Sequence, residues 1–405
     1  MTRLSPQPFM TNPETVKLMA VLGEARFVGG VVRNALLGKP VSDIDVATPH
    51  PPEKVRALLE AAGLKAVPTG IEHGTITAVV NGKPFEVTTL RRDVETDGRR
   101  AVVAFTTDWA EDAQRRDFTM NALYADRDGE VYDHVGGVAD LEAGRVRFVG
   151  DPAARIREDY LRILRLFRFH AWYGQGGLDV DALVAVEQEK AGLAKLSGER
   201  IAKEMLKLLE AANPVAVLVA MGETGVLAEV LPGAPDIMRL KRLAAADASA
   251  ALPPDGVLRL AALLPRDKAV AQAVAKRWKL SNAHTDRLTD LAEAGETVTP
   301  YLSTHDVAKL LYKLGPERFR DRVRLAWAEA PQAFVQWRTF LASANEWQRP
   351  VFPLSGDDVM AAGVVKGRAV GQVLSEVESW WIENGFTADI AAVQNALRRA
   401  VEKVR

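Results

Sequence analysis

Over roughly the first 145 residues, apolar residues gather in short β-rich runs: Ala25–Val28, Ile44–Ala47, Thr75–Val80 and Phe85–Leu90, with further runs near Val131 and Val146. Short apolar runs bounded by turn residues predict strands. Between them, apolar positions recur at helical spacing and predict helices at Val31–Leu37 and Pro52–Ala62. Turn signals stand at Asn81-Gly82, Asp97-Gly98 and Asp128-Gly129. Asn81-Gly82 between two strand patterns predicts a hairpin, because both residues tolerate the positive φ that a tight turn requires. From Pro152 the strand pattern fades, and helical periodicity runs to Arg405. Gly and Pro clusters interrupt it at Leu231–Pro235, Leu252–Gly256 and Gln348–Gly356. The expected fold class is α+β: a mixed α/β head, then an all-helical remainder that divides near Asn213 and Gly315.

Composition narrows the setting. A chain of 405 residues is long enough for roughly two to four compact units. The absence of cysteine excludes disulfides and thiolate-held zinc and fits a reducing compartment. Met1–Asn12 contains two prolines where a signal peptide needs a continuous apolar stretch, and no apolar run approaches the roughly 20 residues of a membrane span. A cytoplasmic protein without membrane attachment is therefore expected. The formal net charge of −1 argues against a basic protein that coats RNA, although a local Arg and Lys stripe can coexist with neutrality.

Candidate chemistry begins at Val28-Gly29-Gly30-Val31-Val32-Arg33, which follows a strand and opens a helix. Glycines there let backbone N–H groups approach a phosphate, and Arg33 adds a charge-assisted donor. A Gly-Gly turn before a helix is by itself more often structural. Ten residues on, Asp43-Ile44-Asp45-Val46 places two acids two apart on a predicted strand, so both carboxylates project from one face. An isolated pair reads as an exposed acidic face; after a Gly-Gly-x-x-Arg loop it reads as a site for Mg²⁺, a hard, oxygen-seeking cation. Glu86 alternates with apolar Phe85 and Val87 and is positioned to join the two aspartates from a neighbouring strand. Asp151–Tyr173 reads as one helix with Pro152 in its first turn, and Asp159, Arg162, Arg165 and Arg168 follow at i+3 spacing. A solvated charged stripe is the alternative for that face.

The ordered set Gly29-Gly30-Val31-Val32-Arg33, Asp43-Ile44-Asp45, Arg115-Arg116-Asp117-Phe118-Thr119-Met120-Asn121-Ala122-Leu123 and Glu158-Asp159-Tyr160-Leu161-Arg162-Ile163-Leu164-Arg165 resembles the class II CCA-adding tRNA nucleotidyltransferases and their relatives, the bacterial poly(A) polymerases. The match is dense from about Phe27 to Leu209 and looser beyond. The resemblance implies a nucleotidyltransferase head at 1–147, a neck that selects the base at 148–212, a body at 213–314 and a tail that binds tRNA at 315–405. It implies CTP and ATP as substrates and addition of C, C and A to a tRNA 3′ end without a template. A poly(A) polymerase, an inactive RNA-binding relative, and an enzyme adding only CC or only A are the alternatives.

Residue by residue, the resemblance gives Asp43 and Asp45 a metal-binding catalytic role, with Glu86 as a third acid. It assigns the triphosphate to Gly29, Gly30 and Arg33, and a nucleotide contact to Arg116. It assigns nucleotide recognition to Asp159, Arg162, Arg165 and Arg168. Ser197-Gly198-Glu199-Arg200-Ile201-Ala202-Lys203-Glu204 resembles the motif that braces the base-selecting helix, and for the charged stretch Arg92–Arg100 the resemblance implies a mobile loop that helps change specificity from C to A, with Gly98 as a hinge and a solvated surface loop as the alternative. Arg277-Trp278-Lys279-Leu280-Ser281-Asn282 and Phe352–Trp381 look like segments that grip tRNA, whereas Trp327, Trp337, Trp380 and Trp381 are expected in cores.

Overall fold

The computed structural model describes residues 2–97, 100–293, 295–387 and 389–404. The chain packs as two units, Met1–Gly233 with Ala273–Leu280, and Ala234–Gln272 with Ser281–Arg405.

The first unit opens on a seven-stranded mixed sheet of order β3-β4-β5-β2-β1-β8-β9. Its strands are β1 (Arg26–Val28), β2 (Asp45–Thr48), β3 (Lys65–Gly70), β4 (Thr75–Val80), β5 (Lys83–Thr89), β8 (Leu123–Ala125) and β9 (Val131–Asp133). Five predicted strands, β1, β2, β4, β5 and β9, stand where the apolar runs put them. The run near Val146 forms only an isolated bridge, Phe118 to Phe148, while β3 and β8 were not anticipated. Val80 pairs with Lys83 across Asn81 and Gly82, both at positive φ (49° and 82°), so the hairpin closes on a two-residue turn. β2 and β5 are parallel, which requires a crossover; helix α2 (Pro52–Ala61) with β3 and β4 supplies it. Phe27, Val46, Ile76 and Val87 are buried, so the sheet's far face seats the head's core.

Arg92–Arg100 was expected to be a loop. It forms instead much of a separate two-stranded ribbon, β6 (Arg91–Asp97) and β7 (Arg100–Phe105), because its backbone pairs antiparallel with the segment up to Phe105. The proposed hinge Gly98, with Arg99, lies outside the described residues.

Beyond the head the chain is helical, as expected. The predicted helix Asp151–Tyr173 is broken in two, α4 (Pro152–Glu158) and α5 (Leu161–Tyr173). At the break Asp159 is extended (φ −156°, ψ 105°), and its Oδ1 accepts from the Leu161 N–H at 3.1 Å. Helix α6 (Gly198–Leu209) packs against α5. Its first residue must be glycine, since a Cβ there would sit 1.9 Å from the Arg277 carbonyl oxygen.

In the second unit, one apolar core gathers Phe319, Val323, Trp327, Trp337 and Phe340, and another gathers Val359, Val373, Val377, Trp381 and Val393. Trp327, Trp337 and Trp381 are thus core residues as expected, and Trp380 is partly buried against the same core as Trp381. Asp306, beside His305, completes a capping box with Ser303, which is a structural task. Among the described residues no helix is long and apolar enough to cross a membrane.

Candidate active site

The acid-bearing strands set one end of the site. Asp45 is in register with Glu86 on the parallel neighbour β5, and Glu86 is in register with Thr77 on β4. Residues in register share a face, so Asp45, Glu86 and Thr77 stand side by side. Asp43 does not lie on the strand: it sits at a bend just before β2, with its carboxylate accepting from Ser42 Oγ at 3.0 Å. Asp43, Asp45 and Glu86 nonetheless line one cavity of about 690 Å³ with Ser42, Thr77 and Lys83. Burial, then Glu86, then Asp43 raise the Asp45 pKa above its ordinary value, and Arg116 opposes them. That is an excess of negative charge suited to a divalent cation. No three acid or imidazole groups close into a ready cage among the described residues. A hard cation that keeps several waters and takes the rest of its ligands from substrate phosphates requires only one or two carboxylates, so the donor set fits.

The glycine loop borders this region. Gly29 has φ +66° and ψ −118°, a conformation closed to residues with a Cβ, and helix α1 (Gly30–Leu36) starts immediately after it. Two guanidinium groups approach the loop: a Cβ on Gly29 would lie 3.7 Å from Arg116 Nη1, and one on Gly30 would lie 3.6 Å from Arg33 Nη2. Arg116 is fixed from behind by Asp112, at 2.9 Å and 3.2 Å, and by the Tyr124 hydroxyl at 3.1 Å. Asp112 also accepts from Arg115, from the Tyr124 O–H and from the Arg91 N–H. Burial alone would raise its pKa; Arg116 and Arg115 reverse that and hold the carboxyl far below the usual range. This acid lies on α3 (Trp109–Gln114), three and four residues before the arginines it holds.

Arg33 is 7% exposed. It donates to Asn121 Oδ1 at 2.5 Å and to the Tyr173 hydroxyl at 2.9 Å, and its guanidinium lies over the Tyr173 ring at 4.2 Å. Burial lowers its pKa from the guanidinium's ordinary value, with Tyr173 acting in the opposite direction. Asn121 in turn donates to Asp117 Oδ1 at 3.1 Å, and Arg165 grips Asp117 Oδ2 with Nε at 2.8 Å and Nη2 at 2.5 Å. Arg165 also faces Glu204 of α6 at 3.7 Å, and Arg168 donates to Glu204 at 2.5 Å. One polar chain therefore runs from the glycine loop to α5 and α6.

At the break between α4 and α5, Asp159 Oδ2 accepts from Arg200 of α6 at 2.6 Å. Arg162 donates to Glu158 and, at 2.8 Å, to the Arg155 carbonyl. Asp159 and Arg162 are neighbours through backbone, the Arg162 N–H reaching the Asp159 carbonyl at 2.9 Å, and their side chains take different partners. Arg200 and Glu204 brace α5 as expected, while Glu199 pairs with Lys279 at 2.8 Å. Within the segment Arg277–Asn282, expected to grip tRNA, Trp278 is fully buried, with its indole N–H on the Val230 carbonyl at 3.1 Å. Sequence reasoning gave no role to Asp112, Asp117, Asn121, Tyr124 or Tyr173. The first three lie in or near the Arg-Arg-Asp motif at helical spacing, which was the available signal; Tyr173 carried none.

The sequence matches the family described as "Poly A polymerase head domain" over residues 25–147, and "Probable RNA and SrmB- binding site of polymerase A" over residues 178–238. It is 35% identical over 368 residues to the "CCA tRNA nucleotidyltransferase 1, mitochondrial" of Danio rerio, covering 90% of this chain and 84% of that one. It is 33% identical to a "CCA-adding enzyme" of Streptococcus sanguinis over 94% of both chains. The fold resembles that of the Bacillus stearothermophilus CCA-adding enzyme in complex with CTP, at TM-score 0.76, 28% identity and 99% coverage of each chain. With the acid pair, glycine loop and arginine-bearing helix assembled as described, the chain belongs to the family of CCA-adding tRNA nucleotidyltransferases.

Proposed function

We propose that this protein adds C, C and A, one nucleotide at a time, to the 3′ end of tRNA from CTP and ATP, releasing pyrophosphate and using no nucleic-acid template. The observation that carries the reading is the polar chain joining the glycine loop beside the acid pair to the arginines of α5, which couples a triphosphate site to a base-selecting surface. The family works with a divalent metal; here Mg²⁺ would be held by Asp43 and Asp45, with Glu86 alongside. When bound, such a metal supplies activation of the attacking 3′-hydroxyl and neutralises charge on the triphosphate. Gly29, Gly30 and Arg33 receive the triphosphate, and Arg116, locked by Asp112, sets the positive potential between loop and acids.

Base choice follows from donor and acceptor order. Cytosine and adenine each present an amino donor beside a ring-nitrogen acceptor. Asp159 accepts from the amino group and Arg162 donates to the ring nitrogen. Uracil and guanine present the reverse order and leave like groups facing, at about 1–3 kcal/mol for each buried unsatisfied group. Asp159 spends two acceptor positions on Arg200 and Leu161, and a carboxylate has about four, so capacity for the base remains. Arg165 and Arg168 complete the nucleotide-binding face, positioned by Asp117 and Glu204. The division into head (1–147), neck (148–212), body (213–314) and tail (315–405) and a cytoplasmic location complete the reading.

The test is to incubate the protein, Mg²⁺ and tRNA lacking its 3′ end with CTP, ATP or both, and to sequence the products. CCA ends with both nucleotides, lost in Asp45→Ala with tRNA affinity retained, support the reading. Long A tails from ATP alone would identify a poly(A) polymerase, and no addition at all would identify an inactive relative.

A further inference from the structure

We propose that the second unit contains a phosphate-binding recess built on Arg239, Arg266 and Arg322, separate from the nucleotide site. The three guanidinium groups line a cavity of about 260 Å³ together with Glu293, Glu296 and Glu329. This is smaller than the roughly 300–1,000 Å³ of pockets for drug-sized ligands and suits a small oxyanion.

Two buried guanidinium groups of the recess keep an N–H without an acceptor among the described residues. The Arg239 side chain is 6% exposed, yet its Nε has no hydrogen-bond acceptor among the described residues. Its nearest carboxylate oxygen, Glu329 Oε1, is 3.6 Å from Nε, and its Nη1 makes only a 3.5 Å contact to the Ala261 carbonyl. Arg266 pairs with that same Glu329 oxygen. The Arg322 Nε is likewise buried without an acceptor, while its Nη2 donates to the Asp290 carbonyl at 3.3 Å and lies 3.4 Å from the Asp290 carboxylate. Of the other lining acids, Glu293 is engaged by Lys268 and Glu296 by Lys313. The ion-pair contacts of the three guanidinium groups go to Glu329 and Asp290, and Asp236 acts on Arg239 at longer range. Burial, then the Arg266 cation, bring the Arg239 pKa down to about 10, with Asp236 opposing and Arg242 adding to the fall. Buried guanidinium N–H groups short of acceptors match phosphate, whose several oxygens take multiple N–H bonds. The phosphate has two possible sources, inorganic phosphate or the backbone of bound RNA.

The experiment uses the full-length protein. Thermal unfolding is followed over a series of inorganic phosphate concentrations, with ionic strength held constant by chloride. A ligand that binds only the folded state raises Tm with concentration. Arg239 is so deeply buried that replacing it would mix folding with binding, so Arg322→Met and Arg266→Met carry the test, each referred to its own phosphate-free Tm. The expected result is stabilisation of the wild type and at least tenfold more phosphate needed for the same rise in both variants. Absence of stabilisation in the wild type overturns the proposal. So does equal stabilisation of wild type and variants, which is also what phosphate at the nucleotide site alone would produce. A second arm measures tRNA affinity against salt. A slope of log K against log salt reduced by about one in Arg266→Met assigns the recess to an RNA phosphate. An unchanged slope with the tenfold phosphate loss assigns it to the free ion. Nucleotide addition is read in neither arm, so failure here leaves the catalytic reading intact.

Discussion

Asp117 offers the most direct test of the polar chain behind the nucleotide site. Its carboxylate receives two N–H groups of Arg165, the Asn121 amide and the Phe118 N–H, and is 11% exposed. Burial would raise its pKa, but Arg165 dominates with Asn121 and the Phe118 N–H, and the value falls from 3.8 to about 2. At 1.36 kcal/mol per unit, this contributes about 2–3 kcal/mol at neutral pH. Because the folded pKa lies below the unfolded one, the contribution is complete above about pH 4 and is lost as pH falls through about 2. Asp117→Asn keeps the shape and removes the charge. Arg165 retains Glu204 at 3.7 Å, which softens the loss, so about 2 kcal/mol is expected. Native-state hydrogen exchange of the α5 amides reads the first unit specifically. A double-mutant cycle with Arg165→Met should return about 1.5–3 kcal/mol of coupling, and the cost of Asp117→Asn should shrink on acidification. With the Arg165 end of the polar chain released, Asn121 and Arg33 are held less firmly, so kcat/KM should fall for CTP and ATP alike. A stability change under about 0.5 kcal/mol at pH 7, within the range of ordinary surface substitutions, would refute the reasoning.

Three further outcomes are expected. Gly198→Ala places a Cβ against the rigid Arg277 carbonyl and should cost about 3 kcal/mol or more; a Tm within about 2 °C of wild type would contradict that close approach. Arg200→Met frees the Asp159 carboxylate from its 2.6 Å partner and should weaken discrimination against UTP and GTP by about tenfold while leaving triphosphate affinity unchanged; unaltered kcat/KM ratios would remove Arg200 as a positioning residue. Replacing residues 93–99 of the β6–β7 ribbon with a short Gly/Ser linker should leave CC addition and block the final A. Normal CCA ends would make the ribbon a surface feature, and loss of the first C would make it a support for the whole site.

Much of the molecule was legible because its causes are local. Alternation over Thr75–Val80, the positive-φ pair Asn81-Gly82 and the glycine at the β1–α1 junction are properties of a few adjacent residues, and the structure keeps them where the pattern put them. Asp45 and Glu86 were also readable, since each alternates with apolar neighbours; their parallel register is a tertiary result. Local pattern failed where a distant partner decides. The stretch 151–173 is compatible with one helix throughout, and it breaks at Asp159, whose carboxylate is taken by Arg200, 41 residues away. Charge made residues 92–100 read as a loop, yet pairing of its backbone groups makes a ribbon. Trp278 stands between two cations like a surface residue, and packing against the Val230 carbonyl puts it inside. Residue types and spacing along the chain determine which groups are available for chemistry. Arg33 meets Asn121 across 88 positions, and Arg165 meets Asp117 across 48, only because folding removes competing water and makes an unpaired buried charge costly, and that cost exists only in the tertiary structure.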